Sequence, residues 1–188
     1  MFEEAGITLT VTLIALGAVW IPFYRGLRLC RAASIATRRL KREEIDAHLR
    51  QGAGTAQPIS IQLLQLIRRA LHENREGHPS EFIVDASRQY VTSEWDALYA
   101  KPISMYANVL PPIGFIGTTG GLLVLFLSMR VANENLELGA LAVALISSLF
   151  ALIGFTVLEG MKIRLYGRMV AGIDEAIAYY RVRTAGRS

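Results

Sequence analysis

The fold of this chain is decided by two apolar stretches, Val109-Leu-Pro-Pro-Ile-Gly-Phe-Ile-Gly-Thr-Thr-Gly-Gly-Leu-Leu-Val-Leu-Phe-Leu-Ser-Met129 and Leu138-Gly-Ala-Leu-Ala-Val-Ala-Leu-Ile-Ser-Ser-Leu-Phe-Ala-Leu-Ile-Gly-Phe-Thr-Val-Leu158. Each holds 21 residues and no charged side chain. Because a helix rises about 1.5 Å per residue, each stretch is long enough to cross a bilayer core of about 30 Å. The polar turn Asn133-Glu134-Asn135 separates them. The sequence therefore predicts a membrane hairpin of two helices.

A third apolar run, Ile7 to Phe23, predicts another span near the N-terminus. Glu3 and Glu4 precede it where a signal peptide would carry basic residues, so we expect it to stay uncleaved. Arginines and lysines follow the first and third runs, whereas residues 131–137 hold two acidic side chains and no basic one. By the positive-inside rule, the N-terminus faces out and the C-terminus faces the cytoplasm.

These features predict an all-α membrane protein of 188 residues, 52% of them hydrophobic, divided into four segments. Residues 1–23 form an N-terminal transmembrane helix and residues 24–105 a basic, helical cytoplasmic region. Residues 106–160 form the transmembrane hairpin and residues 161–188 a cytoplasmic C-terminal helix. The net charge of +4 follows from the basic flanks of the spans, so we expect no nucleic-acid partner.

The cytoplasmic region has its own helix signals. We expect residues 24–50 to continue the first span as a basic helix and residues 51–58, rich in Gly and ending in Pro, to form a loop. Ser60 and Ser80 are expected to cap the two helices that follow. Apolar residues at helical spacing predict that these two helices pack on each other or on a neighbouring subunit.

Small and hydroxyl residues recur along one face of the second span. Gly114, Gly117, Thr118 and Gly121 stand at positions i, i+3, i+4 and i+7, which lets another helix approach closely. The third span has a matching side, which holds Ala140, Ala144, Ser147, Ser148, Ala151 and Gly154.

Two interpretations of the hydroxyls are open at this point. In the first, this is only a packing face, with the Thr118 hydroxyl bonded to a carbonyl one turn earlier. In the second, Thr118 and Ser148, both near the middle of the bilayer, line a narrow and weakly polar path.

No Asp, Glu, Lys, Arg or His lies within any of the three apolar runs. A proton path through lipid requires a titratable group, so another subunit would have to supply the carboxylate. The sequence holds no phosphate-binding loop, nucleophile elbow or paired carboxylates, so we expect neither an enzyme nor a cofactor. The three histidines lack ligand spacing, and Cys30 is the only cysteine, so we expect no metal site and no intrachain disulfide.

The stretch from Leu110 to Phe126 resembles the signature of the MotA/TolQ/ExbB proton-channel family. Its Pro112, Gly114, Gly117, Thr118 and Gly121 match that pattern in register. The third span resembles the family's next helix, with Ser148 in a threonine position and Ala151 in a glycine position. The order of spans is similar to that of the ExbB/TolQ branch.

The resemblance implies a ring of subunits, pentameric in known members, in the bacterial inner membrane with a periplasmic N-terminus. The ring surrounds a small single-span subunit, ExbD/TolR-like, that bears a membrane aspartate, and proton flow drives the partner against the ring. Thr118 and Ser148 would face that carboxylate, with Thr119 and Ser147 as substitutes. Pro112 would fix the inner end of the second span. Close helix contact is implied for a set of small residues, which are Gly114, Gly117, Gly121, Ala144 and Ala151.

Two departures from the family pattern keep other functions open. The ExbB/TolQ branch often carries a glutamate where this chain has Val143 or a neighbour, and a later proline is absent from residues 153–158. A non-conducting oligomeric scaffold is therefore one alternative. A small membrane anchor whose cytoplasmic helices bind a soluble partner is the other.

Overall fold

The computed structural model describes residues 2–40, 42–51, 57–74, 77–129 and 134–185, and these form helices joined by short connections. The helices are α1 (Phe2–Ala36), α2 (Arg42–Gln51), α3 (Ile59–His72), α4 (Ser80–Trp95), α5 (Lys101–Met129) and α6 (Glu134–Ala185). A π-helical turn, Asp96–Ala100, joins α4 to α5. The described residues contain no strand, so the all-α prediction is confirmed.

The chain divides into two compact units. The first combines Met1–Leu29 with Pro102–Met161, and so contains most of α5 and the first half of α6. The second combines Cys30–Lys101 with Lys162–Ser188, and contains α2, α3 and α4.

Among the described residues, two helical stretches are long and apolar enough to cross a membrane, within Ser80–Leu127 and Glu137–Ala185. Only 17% and 33% of the residues in their most apolar windows are buried within the chain. A core helix of a soluble domain would bury most of such a surface, since exposed apolar area costs about 25 cal/mol per Å². These helices therefore fit a membrane location, as the two long apolar runs predict.

The N-terminal run also lies in a helix, α1, but α1 is not among the two candidate spans found in the described residues. The span over residues 1–23 remains a prediction. The predicted turn between the hairpin helices falls partly on residues 130–133, which lie outside the described residues, as do residues 52–56 of the predicted loop.

In the first unit, α1 contacts α6 through small residues. A Cβ atom added to Gly26 would lie 2.6 Å from Leu158 Cδ1, which shows how closely the two helices approach. A Cβ on Gly154 would lie 3.1 Å from Leu110 Cδ1 and 3.3 Å from Phe23 Cδ2, so α1, α5 and α6 meet at this glycine. Close approach of this kind is typical of helix packing in membranes.

In the second unit, α3 and α4 pack on each other, as predicted. The helix α2 also contacts α3. The buried apolar residues of this unit include Leu40, Ile45, Ile61, Leu63, Ile67, Val91, Trp95, Met169 and Ile173. At its edge, the Tyr179 hydroxyl donates a hydrogen bond to Asp46, and Arg183 Nη1 lies 3.1 Å from the same hydroxyl.

The prediction of one basic helix over residues 24–50 is wrong, because the chain leaves helical geometry after Ala36. The amide and the hydroxyl of Thr37 both donate to the carbonyl of Ala33, at 2.9 and 2.8 Å. The next amide, of Arg38, bonds to Ile35 instead, which tightens the last turn and ends the helix. A separate helix, α2, then begins at Arg42.

The two predicted serine caps are also wrong. Proline holds the cap position in both helices, Pro58 before α3 and Pro79 before α4, and no side-chain hydrogen bond caps either. Each proline has a φ near −56°, which the ring fixes and which a helix also uses, but its ψ of 146° or 138° is extended, so the helix starts at the following residue. Ser60 therefore lies inside α3, buried, and its hydroxyl has no hydrogen-bond partner among the described residues.

Candidate functional site

Three glycines of α5 lie against three small residues of α6. A Cβ on Gly114 would lie 2.6 Å from the Ala151 Cβ, one on Gly117 2.6 Å from the Ser147 Cβ, and one on Gly121 2.7 Å from the Ala144 Cβ. Real Cβ atoms do not approach this closely, so only glycine fits these positions. The α6 numbers fall as the α5 numbers rise, so the two helices are antiparallel. We call this contact the small-residue seam.

Two hydroxyl groups meet at the middle of the seam. The hydroxyls of Thr118 and Ser148 are hydrogen-bonded to each other. Thr118 Oγ1 also lies 3.0 Å from the carbonyl oxygen of Gly114 and 3.2 Å from that of Ala144. Ser148 Oγ lies 3.2 Å from the Gly114 carbonyl oxygen. Both side chains are half-buried, so the pair is also reachable from outside the seam.

The pair forms because helical spacing brings its members to the same level. Thr118 follows Gly114 by four residues and so stands one turn above it on the same face. Ser148 follows Ala144 by the same spacing on α6. The Thr118 hydroxyl bonds to the carbonyl one turn earlier in its own helix, as threonine in a helix commonly does, whereas the Ser148 hydroxyl reaches across to the Gly114 carbonyl of α5. Since glycine and alanine hold the backbones close together, the two oxygens then meet.

The other two predicted hydroxyls lie elsewhere. Ser147 is only 2% exposed, packs against Gly117 and donates to the Ala144 carbonyl at 3.1 Å. Thr119 is exposed, and its hydroxyl bonds within its own helix, 3.0 Å from the carbonyls of both Phe115 and Ile116. The structure thus brings Thr118 and Ser148 together, buries Ser147 in the seam and turns Thr119 away from it.

Pro112 also differs from the glycines with which it was grouped. It is exposed, and it lies within α5 rather than at its end, since the helix runs from Lys101 through Pro111 and Pro112. Proline lacks an N–H and removes a backbone hydrogen bond inside a helix. Its position in the first half of α5 therefore marks a place where carbonyl groups one turn earlier lose their usual donors.

A polar contact that the sequence did not predict lies near the end of the small-residue seam. Ser104 Oγ donates to Glu159 Oε1 at 3.3 Å, joining α5 to α6. Ser104 precedes Thr118 by about four turns and Glu159 follows Ser148 by about three, so each lies on nearly the same face as its hydroxyl. Extending the two faces beyond the apolar runs would have found this contact.

The hydroxyl pair has unused hydrogen-bonding capacity. Each hydroxyl has one proton to donate and two lone pairs to accept with. The two hydroxyls make four contacts inside the seam but carry only two protons, so at most two of these contacts are hydrogen bonds at one time. Most of the hydroxyl lone pairs remain free to accept. The pair can therefore accept a hydrogen bond from a protonated carboxylic acid. Either hydroxyl can also rotate and donate to a carboxylate, since hydroxyl hydrogens turn to suit their neighbours.

Titratable groups are sparse around the seam. Between Ile103 and Leu158, the described part of α5 holds no charged side chain, and in α6 the only ones are Glu134 and Glu137, in its first turn. Among the described residues, no three His, Cys, Asp or Glu side chains come together as a metal site would require. Any acid that meets Thr118 and Ser148 must then come from outside the seam.

No family model matches the chain, no curated protein matches its sequence, and no solved structure matches its fold.

Proposed function

We propose that this chain is the ring-forming subunit of a proton-driven, energy-transducing complex of the bacterial inner membrane. Several copies, five as in the family that the chain resembles, would enclose the span of a smaller partner. The observation that carries the proposal is the half-buried Thr118–Ser148 hydroxyl pair in the middle of an otherwise apolar hairpin.

The proposal assigns the two chains different chemical roles. The partner is a single-span subunit of the ExbD/TolR type, and its membrane aspartate carries the proton. Thr118 and Ser148 stabilise this group in both of its states, accepting a hydrogen bond from the acid and donating one to the carboxylate. A carboxylate in lipid is costly unless donors surround it, so such donors lower the barrier to proton release.

The small-residue seam supports this arrangement by fixing the hydroxyls. Gly114, Gly117 and Gly121 hold α5 against α6, so the two oxygens occupy one position instead of moving with separate helices. A site whose donors are already in place needs little reorganisation when the charge appears. The partner can then move past the ring while each subunit offers the same pair.

A non-conducting scaffold is the second candidate. Its supporting observation is that each hydroxyl proton already has an acceptor in the seam, either the other hydroxyl or a nearby carbonyl oxygen, so the pair is satisfied without any partner. On this view the hydroxyls only strengthen a hairpin that holds several copies together. A membrane anchor for a soluble partner is a variant of the same idea, with α3 and α4 as the binding helices.

Cysteine cross-linking separates these candidates. We would replace Cys30 by Ala, introduce Ser148→Cys, and co-express the chain with a partner whose membrane Asp is changed to Cys. The proposal expects oxidation to join the two subunits. The matched control is Thr156→Cys, which should give far less product. Thr156 is exposed on α6, and its hydroxyl donates to the Leu152 carbonyl of the same helix. Equal cross-linking at both positions, or none at Ser148→Cys, would contradict the proposal.

A further inference from the structure

The exposed side of α1 changes character along its length. Leu13, Ile14, Trp20 and Ile21 are exposed apolar residues, Trp20 by 63%. Tyr24 follows, and then the exposed Arg25 and Arg28. A sequence of apolar, aromatic and basic side chains is typical of a helix that leaves the hydrocarbon core, passes the interface and reaches the lipid headgroups.

The packing of α1 fixes which way these side chains point. Val19, Pro22 and Gly26 are buried, and Gly26 lies against Leu158 of α6. Residues on a helix are separated by about 100°, so Arg28 points about 160° away from Gly26 and Arg25 about 100° away. The two arginines are one turn apart and neighbours on the outer side.

Within the part of the chain that the structure describes, no acidic side chain neutralises the two arginines. The sequence holds no Asp or Glu between Ala5 and Arg42. Among the described residues, no ion pair includes Arg25 or Arg28. Two neighbouring guanidinium groups without a carboxylate favour a phosphate, which each can bind with two parallel N–H groups.

We propose that Arg25 and Arg28 form a binding site for the phosphate of an anionic phospholipid, with Trp20 and Tyr24 against its glycerol and upper acyl region. Each basic residue near a membrane surface attracts anionic lipid. The site requires that α1 lie in the bilayer, but it does not depend on proton conduction or on a partner subunit.

Trp20 gives a direct measurement of this site, because it lies about 8 Å from Arg25 along the helix axis. The full-length protein is reconstituted into vesicles of phosphatidylcholine and phosphatidylglycerol in equal amounts, with bromine on the acyl chains of only one lipid. Bromine quenches the fluorescence of a nearby tryptophan. Trp95, the second tryptophan, is buried, and its background is subtracted with the Trp20→Phe variant.

We expect stronger quenching when phosphatidylglycerol carries the bromine, corresponding to an enrichment of about fivefold beside Trp20. The Arg25→Gln/Arg28→Gln variant should show no preference. The control Arg68→Gln/Arg181→Gln, which removes the same charge from exposed positions of α3 and α6, should keep the preference.

Three results would overturn the proposal: equal quenching by both lipids in the unchanged protein, a preference that survives in Arg25→Gln/Arg28→Gln, or loss of preference in the control. Removal of the preference by inorganic phosphate at constant ionic strength would also overturn it, since a free anion would then be the ligand. If the double Gln variant does not fold, Arg25→Lys/Arg28→Lys keeps both charges and should retain a weaker preference. A folded lysine variant with no preference would contradict the proposal. If the lysine variant also fails to fold, the single Arg28→Gln variant is measured instead. A partial loss of preference in Arg28→Gln would support the proposal, and no loss would contradict it.

Discussion

The hydroxyls of Thr118 and Ser148 are bonded to each other across the contact between α5 and α6, and both lie within hydrogen-bond distance of the same carbonyl, that of Gly114. The Gly114 carbonyl oxygen thus lies beside one hydroxyl from each helix. The arrangement exists only because glycine and alanine allow the two backbones to come so close.

The adjacent glycines Gly121 and Gly120 provide a test of this close packing, because only Gly121 contacts α6. A Cβ on Gly121 would lie 2.7 Å from the Ala144 Cβ and 2.8 Å from the backbone oxygen of Ala140, whereas nothing lies within 4 Å of one on Gly120. We expect Gly121→Ala to destabilise the hairpin by about 1–3 kcal/mol, the usual cost of overpacking. Gly120→Ala should be neutral or stabilise it by up to about 1 kcal/mol, since alanine favours a helix.

Thermal unfolding in detergent, followed by circular dichroism, checks this difference. The two variants add the same methyl group one residue apart, so helix propensity affects both alike. An equal effect of the two changes would show that the seam is not tightly packed.

Tyr179 should make stability sensitive to alkaline pH. Its hydrogen bond to Asp46, together with partial burial, raises the pKa of the Tyr179 hydroxyl above its ordinary value. The folded protein then holds this proton more tightly than the unfolded chain does. The stabilisation is complete below the unfolded pKa of about 10 and is lost as the pH rises through the folded pKa.

We expect Tyr179→Phe to lower stability by about 1 kcal/mol at neutral pH, since the bond is partly exposed to solvent. The variant should also lose part of the decline in melting temperature above pH 10. Melting curves from pH 7 to 11 measure both effects, and Tyr180→Phe serves as the control on the adjacent residue. A decline as steep in Tyr179→Phe as in the unchanged protein would refute this assignment.

Cys30 should react slowly with thiol reagents. It is fully buried, and burial raises the pKa of its thiol, so little thiolate forms near neutral pH. N-ethylmaleimide should label it at least about tenfold more slowly than a cysteine at position 35 in a Cys30→Ala chain, since Ile35 is exposed. Denaturant should remove the difference. Comparable labelling rates in the native protein would show that α1 is not packed as described.

Periodicity predicted the seam well, because close packing in a helix pair depends on residues three and four apart. Gly114, Gly117 and Gly121 could be placed on one face from spacing alone, as could Ala144 and Ala151. The same argument could not separate Ser147 from Ser148. Adjacent residues differ by about 100° around the helix, and only the rotation of α6 against α5 decides which one meets Thr118.

Local competition between hydrogen bonds was harder to predict. The end of α1 depends on Thr37, whose amide and hydroxyl both use the Ala33 carbonyl. Nothing in the composition of residues 24–50, which are rich in helix-forming residues, marks that position. At α3 and α4, the fixed φ of Pro58 and Pro79 decided the helix start over the serines that follow. The Ser104–Glu159 bond was not predicted because both residues lie just outside the apolar runs, where the small-residue faces of the two helices were not extended.

Proton flux through reconstituted complexes tests most directly whether the hydroxyl pair serves a carboxylate from another chain. The chain and its partner are placed together in liposomes, and a potential drives protons toward a pH-sensitive dye inside. Thr118→Val/Ser148→Ala removes both hydroxyls and nearly preserves shape, whereas Thr119→Val/Thr156→Val removes two exposed hydroxyls of the same helices as a control. We predict that flux falls at least about tenfold in the first variant and stays near that of the unchanged complex in the second. Unchanged flux in Thr118→Val/Ser148→Ala, with the complex intact, would contradict the account.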